Sequence, residues 1–173
     1  MIAELVFWGA IGIAAWTYLL FPASLWLRAR LQPRPWRAGD ASPRVSLLIC
    51  AYNEEASIGA RLENALALDH PAERLEIVVA SDGSTDGTNE IVRGFESRGV
   101  RLLALPRRGK IPALNAAVAS ARGEILVFSD ANSIYERGAL RELLRPFADP
   151  GVGGVAGDQR YLRAGRLPDG GEG

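Results

Sequence analysis

Four short apolar runs constrain the fold of this chain more than any other feature. They are VSLLICA at Val45–Ala51, LEIVVAS at Leu75–Ser81, VRLLAL at Val100–Leu105 and EILVFS at Glu124–Ser129. Each is short, continuous and bounded by turn-forming residues, the pattern of a strand buried on both faces. Between and after them the apolar residues recur at helical spacing: Ile58, Leu62, Ala65 and Leu66; then Ile91, Val92 and Phe95; then Leu114, Ala117, Val118 and Ala121; then Leu140, Leu143, Leu144 and Phe147. The alternation βαβαβαβα predicts an α/β domain, a mostly parallel sheet with helices on both faces. A fifth strand fits Val152–Ala156.

Ahead of this pattern stands a segment of another kind. Leu5–Leu27 contains no charged residue, and its 23 residues in a helix would reach about 35 Å, against a hydrocarbon core of about 30 Å. Three readings compete. A signal peptide opens with positive charge, whereas this N-terminus carries Glu4 and no Lys or Arg. A soluble core helix shows a polar face, and here only Thr17, Ser24 and the edges of Trp and Tyr are polar. Trp8 and Trp26, near the two ends, suit a membrane interface. The expectation is one transmembrane helix, an anchor over residues 1–31. Pro22 is expected to kink it or end it early. Arg28, Arg30, Arg34 and Arg37 follow the segment, so the rest of the chain is expected to face the cytoplasm from a single-pass anchor in the cell membrane. QPRPWRAGDASP, within residues 32–44, reads as a juxtamembrane linker, and residues 45–173 as the α/β domain. LPDGGEG at Leu167–Gly173 shows no helix, strand or cap pattern, so the domain is expected to be truncated there.

The chain's 20 basic and 20 acidic residues cancel, which leaves no overall field for nucleic acid. Cys50, the single cysteine, reads as a buried structural thiol, and His70, in a loop before Pro71, as a capping or exposed residue with no assigned function.

In an open parallel sheet ligands bind beyond the carboxyl ends of the strands. There the sequence places YNEE (Tyr52–Glu55), DGSTDG (Asp82–Gly87), PRRGK (Pro106–Lys110) and the DAN of VFSDANS. Each has a plainer reading. DGSTDG is a turn former whose Ser84, Thr85 or Asp86 can cap the next helix, Glu54 and Glu55 can complement a helix dipole, and RRGK can be a solvated turn. Together, Glu54, Asp82 and Asp130 on one rim would repel unless a cation or donor groups lay among them. With Arg107, Arg108 and Lys110 nearby, that set suits a nucleoside diphosphate bridged by Mg²⁺ or Mn²⁺. No phosphate-loop pattern and no G-x-G-x-x-G after the first strand are present, so ATPase and dinucleotide readings fall away.

The series VSLLICAYNEE, VVASDGSTDGT, RRGKIPALNAA and GEILVFSDANS, over about Val45–Asp158, resembles the nucleotide-sugar-binding part of the family 2 glycosyltransferases. The resemblance implies the GT-A fold, which is Rossmann-like, and an inverting transfer of a sugar from a UDP-linked donor to a lipid or polysaccharide acceptor. It implies that Ala51, Tyr52, Asn53 and Glu54 line the nucleoside pocket with Ser84, and that Asp82 accepts a hydrogen bond from the base, typically uracil. Lys110, with Ala113, Leu114 and Asn115 behind it, would lie near the phosphates. Asp130 matches the first acid of the family's Asp-x-Asp motif, for ribose and metal, and Asn132 stands where the second acid is expected. No residue matches the family's catalytic base, and no Gln-x-x-Arg-Trp segment is present; Asp158 is not assigned as the base. The chain is therefore expected to be a donor-binding half, inactive alone. Two alternatives stay open: a noncatalytic nucleotide-sugar-binding module working with a partner subunit, and an unrelated membrane-tethered interaction domain.

Overall fold

The computed structural model describes residues 1–33, 37–40 and 42–158. The linker residues Arg34–Trp36 and Ala41, and the tail from 159 that carries LPDGGEG, lie outside the described residues. The chain divides into two units, Met1–Trp36 and Arg37–Gly173.

In the first unit α1 (Ile2–Ala15), a π-type turn (Trp16–Leu20) and α2 (Phe21–Leu31) run on as one helix. Its 30 residues extend about 45 Å at helical rise. None is buried, and the helix is long and apolar enough to cross a membrane. The helix does not end early at Pro22. Pro22 falls in the first turn of α2, and just before it the Phe21 amide reaches back five residues to the Trp16 carbonyl. The wider turn absorbs the missing donor and the ring that would crowd a tighter one. Near the C-terminal end the Arg30 guanidinium lies 5.3 Å over the Trp26 ring.

The second unit contains β1 (Val45–Ala51), α3 (Ile58–Leu66), β2 (Leu75–Asp82), α4 (Thr88–Arg93), β3 (Val100–Leu105), α5 (Lys110–Ser120), β4 (Ile125–Asp130) and α6 (Ala139–Leu144). The strands are all parallel, in the order β3-β2-β1-β4. Strand side chains alternate between faces, and two cores follow. Val45, Leu47, Ile49 and Ala51 pack with Ile58, Leu62 and Ala65 of α3, Val92 of α4, and Leu140 and Leu144 of α6. Leu48, Val78 and Ala80 face the other way, onto Ala113 and Ala117 of α5. Each fully buried Val, Leu or Ile contributes about 1.5–3 kcal/mol, so the aliphatic content of β1 and β2 makes them the centre.

Burial on both faces holds for β1 and β2 only. Strands β3 and β4 lie at the edges of the described sheet and are mostly half-buried, with Phe128 of β4 53% exposed. Apolar content predicts a strand, but its place in the order decides how much of it is covered. The expected strand at Val152–Ala156 is absent, and those residues form no ladder. In α5 the contact residues are Ala113 and Ala117, with Val118 exposed, because two alanines let the helix approach the sheet closely.

Candidate functional site

Parallel pairing sets the strand ends in one row, with Ala51 beside Ser81, Asp82 beside Leu105 and Cys50 beside Asp130. Beyond them opens a pocket of about 390 Å³ lined by Cys50, Ala51, Tyr52, Glu54, Asp82, Arg107, Lys110, Asp130, Ala131 and Asn132.

One wall is braced by hydrogen bonds between the loops after β1 and β2. Asn53 takes a left-handed φ of 53°, which asparagine tolerates better than most residues. Its amide donates to Ser84 Oγ (3.1 Å) and its Oδ1 accepts from the Thr85 amide (2.9 Å). Next to it, the Glu55 carboxylate accepts from the Gly87 amide (2.8 Å), and the Glu54 amide donates to Thr88 Oγ1 (2.8 Å). Asp86 accepts from the Thr88 amide at the start of α4. Thus DGSTDG is a turn former, and its turn braces one wall of the pocket. Ser84 and Asn53 secure the wall and do not line the pocket.

Asp82 sits at the base of that wall, only 3% exposed. The Arg108 and Gly109 amides donate to its carboxylate at 2.7–3.0 Å, and the Arg107 guanidinium pairs with Oδ2. The Arg108 amide foremost, then the Gly109 amide and the Arg107 charge, hold its pKa below the ordinary carboxylate range against the opposing effect of burial. Two glycines make the arrangement possible. Gly109 has φ +99°, and Gly83, at φ +68°, would put a Cβ 2.6 Å from the Arg107 amide nitrogen. Arg107 also stacks on Tyr52, its guanidinium carbon 3.5 Å from the ring centroid.

The opposite wall is more open. Lys110 Nζ donates to Asp130 Oδ1 at 2.6 Å, with both side chains more than half exposed. Its hydrogen bond to Asp130 holds the Lys110 pKa above the ordinary lysine value. Asn132 lines the pocket two residues on. Cys50 is not the buried thiol expected from the sequence. It is half-buried, because its neighbour β4 is an edge strand, and it lines the pocket between the walls. Burial pushes its thiol pKa up, opposed by Lys110.

The three carboxylates therefore line one pocket, but they do not converge on a shared cation. Glu54 accepts from Ser57 Oγ (2.6 Å), Asp82 is held by Arg107 and two amides, and Asp130 pairs with Lys110. Among the described residues no group of three His, Cys, Asp or Glu can hold a metal ion. The residues following β3 reach the rim and neutralise it from within. Asn115 is exposed and outside the pocket, Ala113 is buried under the sheet, and Leu114 lines an adjoining hollow with Phe128, Ser129, Ser133 and Tyr135. His70 contacts the Pro43 carbonyl at 3.1 Å, a loop brace.

Sequence reading passed over Arg61. It stands between Ile58 and Leu62 on the apolar face of α3, and is fully buried. A lone arginine inside an apolar stripe was the available signal.

The family model described as Glycosyl transferase family 2 matches residues 46–169. The chain belongs to glycosyl transferase family 2. Within the family, the beta-monoglucosyldiacylglycerol synthase of Synechocystis sp. is 34% identical over 130 residues, 70% of this chain and 27% of its own. Among solved structures, the mannosyltransferase PcManGT from Pyrobaculum calidifontis, in complex with GDP-Man and Mn²⁺, matches with a TM-score of 0.69 at 34% identity, over 83% of this chain and 44% of its own. TarS 1-349 of S. aureus, in complex with UDP-GlcNAc, matches at 0.53 and 27% identity over 58% of this chain and 31% of its own. This family 2 chain thus spans less than half the length of each of these relatives, and its sheet and flanking helices have the GT-A arrangement.

Proposed function

We propose that this chain is the nucleotide-sugar-binding part of an inverting glycosyltransferase, with the donor in the pocket beyond β1, β2 and β4. The observation that carries the reading is the pocket's polarity along its length. Tyr52 and Asp82 offer an aromatic face and a hydrogen-bond acceptor at one end, while Lys110, Asp130 and Asn132 offer a cation and oxygen ligands at the other. A carboxylate acceptor suits a base that presents a ring N–H, such as uracil or guanine. UDP is the donor nucleotide we favour, and the UDP-GlcNAc complex of TarS and the GDP-Man complex of PcManGT accord with that base class. Arg107 already occupies the ring of Tyr52 and an oxygen of Asp82, so base entry exchanges the guanidinium for the base.

Asp130 and Asn132 would hold Mg²⁺ or Mn²⁺. Their donor set fits: Lys110 engages one Asp130 oxygen, and a cation of this kind is commonly held by one or two protein oxygens, with waters and substrate phosphates completing its shell. When bound, the metal supplies charge stabilisation for the departing nucleoside diphosphate. Lys110, beside the same oxygens, would add a second positive charge there.

The helix Ile2–Leu31 would anchor the chain in the cell membrane with Arg28 and Arg30 on the cytoplasmic side. An anchor supports a membrane-bound acceptor, lipid or polysaccharide, and a relative named for a glucosyldiacylglycerol product accords with lipid.

Titration of the full chain in detergent with UDP and GDP, with and without Mn²⁺, tests the reading through thermal stability. A metal-enhanced rise in Tm with either nucleotide is expected. No shift at millimolar nucleotide, with the domain folded, would overturn it. Binding without hydrolysis or transfer would favour a noncatalytic module.

A further inference from the structure

Beneath the loop that follows β4 lies a cation to which the donor-site reading gives no task. Arg61 is 0% exposed. Among the described residues no carboxylate forms an ion pair with it, and its Nε has no hydrogen-bond partner. Burial lowers its pKa. A buried charge without an ion partner is unfavourable, and an apolar side chain of similar volume would fill the space as well.

Among the described residues, the partners of the Arg61 side chain belong to one segment or hold it. Nη2 donates to Ser129 Oγ at 3.1 Å, and Ser129 immediately precedes Asp130, to whose carbonyl its hydroxyl donates at 3.2 Å. The guanidinium carbon lies 4.5 Å from the ring centroid of Tyr135, at the far end of the loop. Nη1 donates to Asn64 Oδ1 at 2.9 Å, and Asn64 grips the Tyr135 backbone twice, accepting from its amide (2.9 Å) and donating to its carbonyl (2.8 Å). One planar group therefore touches both ends of the loop, a task for a guanidinium fork that an ammonium cannot reproduce.

We propose that Arg61 is a positioning residue for Asp130 and Asn132. It ties Ser129 to Tyr135 and so sets the loop whose carboxylate and amide face the pocket. The proposal deepens the donor-site reading and rests on it for the consequence at the diphosphate.

The test uses the full chain in detergent, with Arg61→Met, Arg61→Lys and Tyr135→Leu. Amide hydrogen exchange is followed in residues 130–135 against β1 and β2. Affinities for UDP and uridine, and for GDP and guanosine, are measured with and without Mn²⁺. In Arg61→Met we expect exchange in the loop to quicken about tenfold or more with β1 and β2 unchanged. The Mn²⁺-dependent gain in nucleotide affinity should fall on the order of tenfold, while nucleoside affinity stays within about twofold. Arg61→Lys should resemble Arg61→Met, because charge alone is not enough. Loop exchange at the wild-type rate, or nucleotide and nucleoside affinity falling in equal proportion, would overturn the proposal. If Arg61→Met does not fold, Tyr135→Leu carries the same expectations at a half-buried position. If the wild-type chain binds no nucleotide, the donor-site reading fails, and the exchange measurement alone decides whether Arg61 positions the loop.

Discussion

Asp82 and Asp130 end the two strands that flank β1, yet they sit in contrasting surroundings. Asp82 closes an interior strand, is 3% exposed, and takes hydrogen bonds from two backbone amides and the Arg107 side chain. Asp130 closes an edge strand, and its side chain is 52% exposed with Lys110 as its ion partner. The difference follows from place in the sheet, since β2 is flanked on both sides and β4 on one. It teaches that one end of the pocket is preset by the fold, whereas the other has oxygen atoms open to a ligand.

The largest effect should come from disturbing the preset end. Asp82→Asn turns an acceptor-only group into one that must aim an amide N–H at donors, and loses a charge-assisted bond. Calorimetry with UDP should show affinity lower on the order of tenfold to a hundredfold. Unchanged affinity would separate Asp82 from ligand binding and leave it a loop brace. At the open end, Asn132→Asp adds a full charge beside Asp130. The Mn²⁺ concentration needed for half-maximal nucleotide binding should drop on the order of tenfold, and an unaltered metal dependence would mean that residue 132 only shapes the turn. A smaller effect is expected from the group that covers the preset end. Arg107→Ala uncovers the Tyr52 ring and one Asp82 oxygen, and uridine should bind about threefold tighter. Weaker binding would recast Arg107 as a direct ligand of the nucleotide.

Acid pH gives the mildest test. The folded-state pKa of Asp82 is depressed, so the folded protein takes up that proton less readily than the unfolded chain, whose aspartate titrates near about 3.9. The stability Asp82 contributes is therefore present above that value and lost as pH falls through the lower folded value. Tm measured against pH should show this acid limb in the wild type and lack it in Asp82→Asn.

Much of this was legible in the residues. The continuous apolar runs marked all four strands, although burial on two faces holds for β1 and β2 only, and DGSTDG and PRRGK marked strand ends because turns need small and polar residues. The pairings of Arg107 with Asp82 and Lys110 with Asp130 were not legible, since each joins residues at least 20 apart in the chain through sheet register. Hence the residues showed three carboxylates on one rim with a cation or donor groups needed among them, but not that Ser57, Arg107 and Lys110 are such donors. Cys50 looked like any residue of an apolar run, and only the exposure of β4 put its thiol in the pocket. Arg61 was visible as a lone charge in an apolar stripe, but its partners Ser129 and Tyr135 lie on other elements.

By itself, the sequence determined the α/β alternation, the apolar N-terminal helix, the family, and which loops carry chemistry, because periodicity, length and turn composition are local properties of the chain. Tertiary structure alone decided which carboxylate is saturated and which is open, which strands are central, and which cation is buried beneath the β4 loop. Those outcomes depend on neighbours distant in sequence, and a residue's charge and polarity act only through the groups that folding brings within a few ångströms of it.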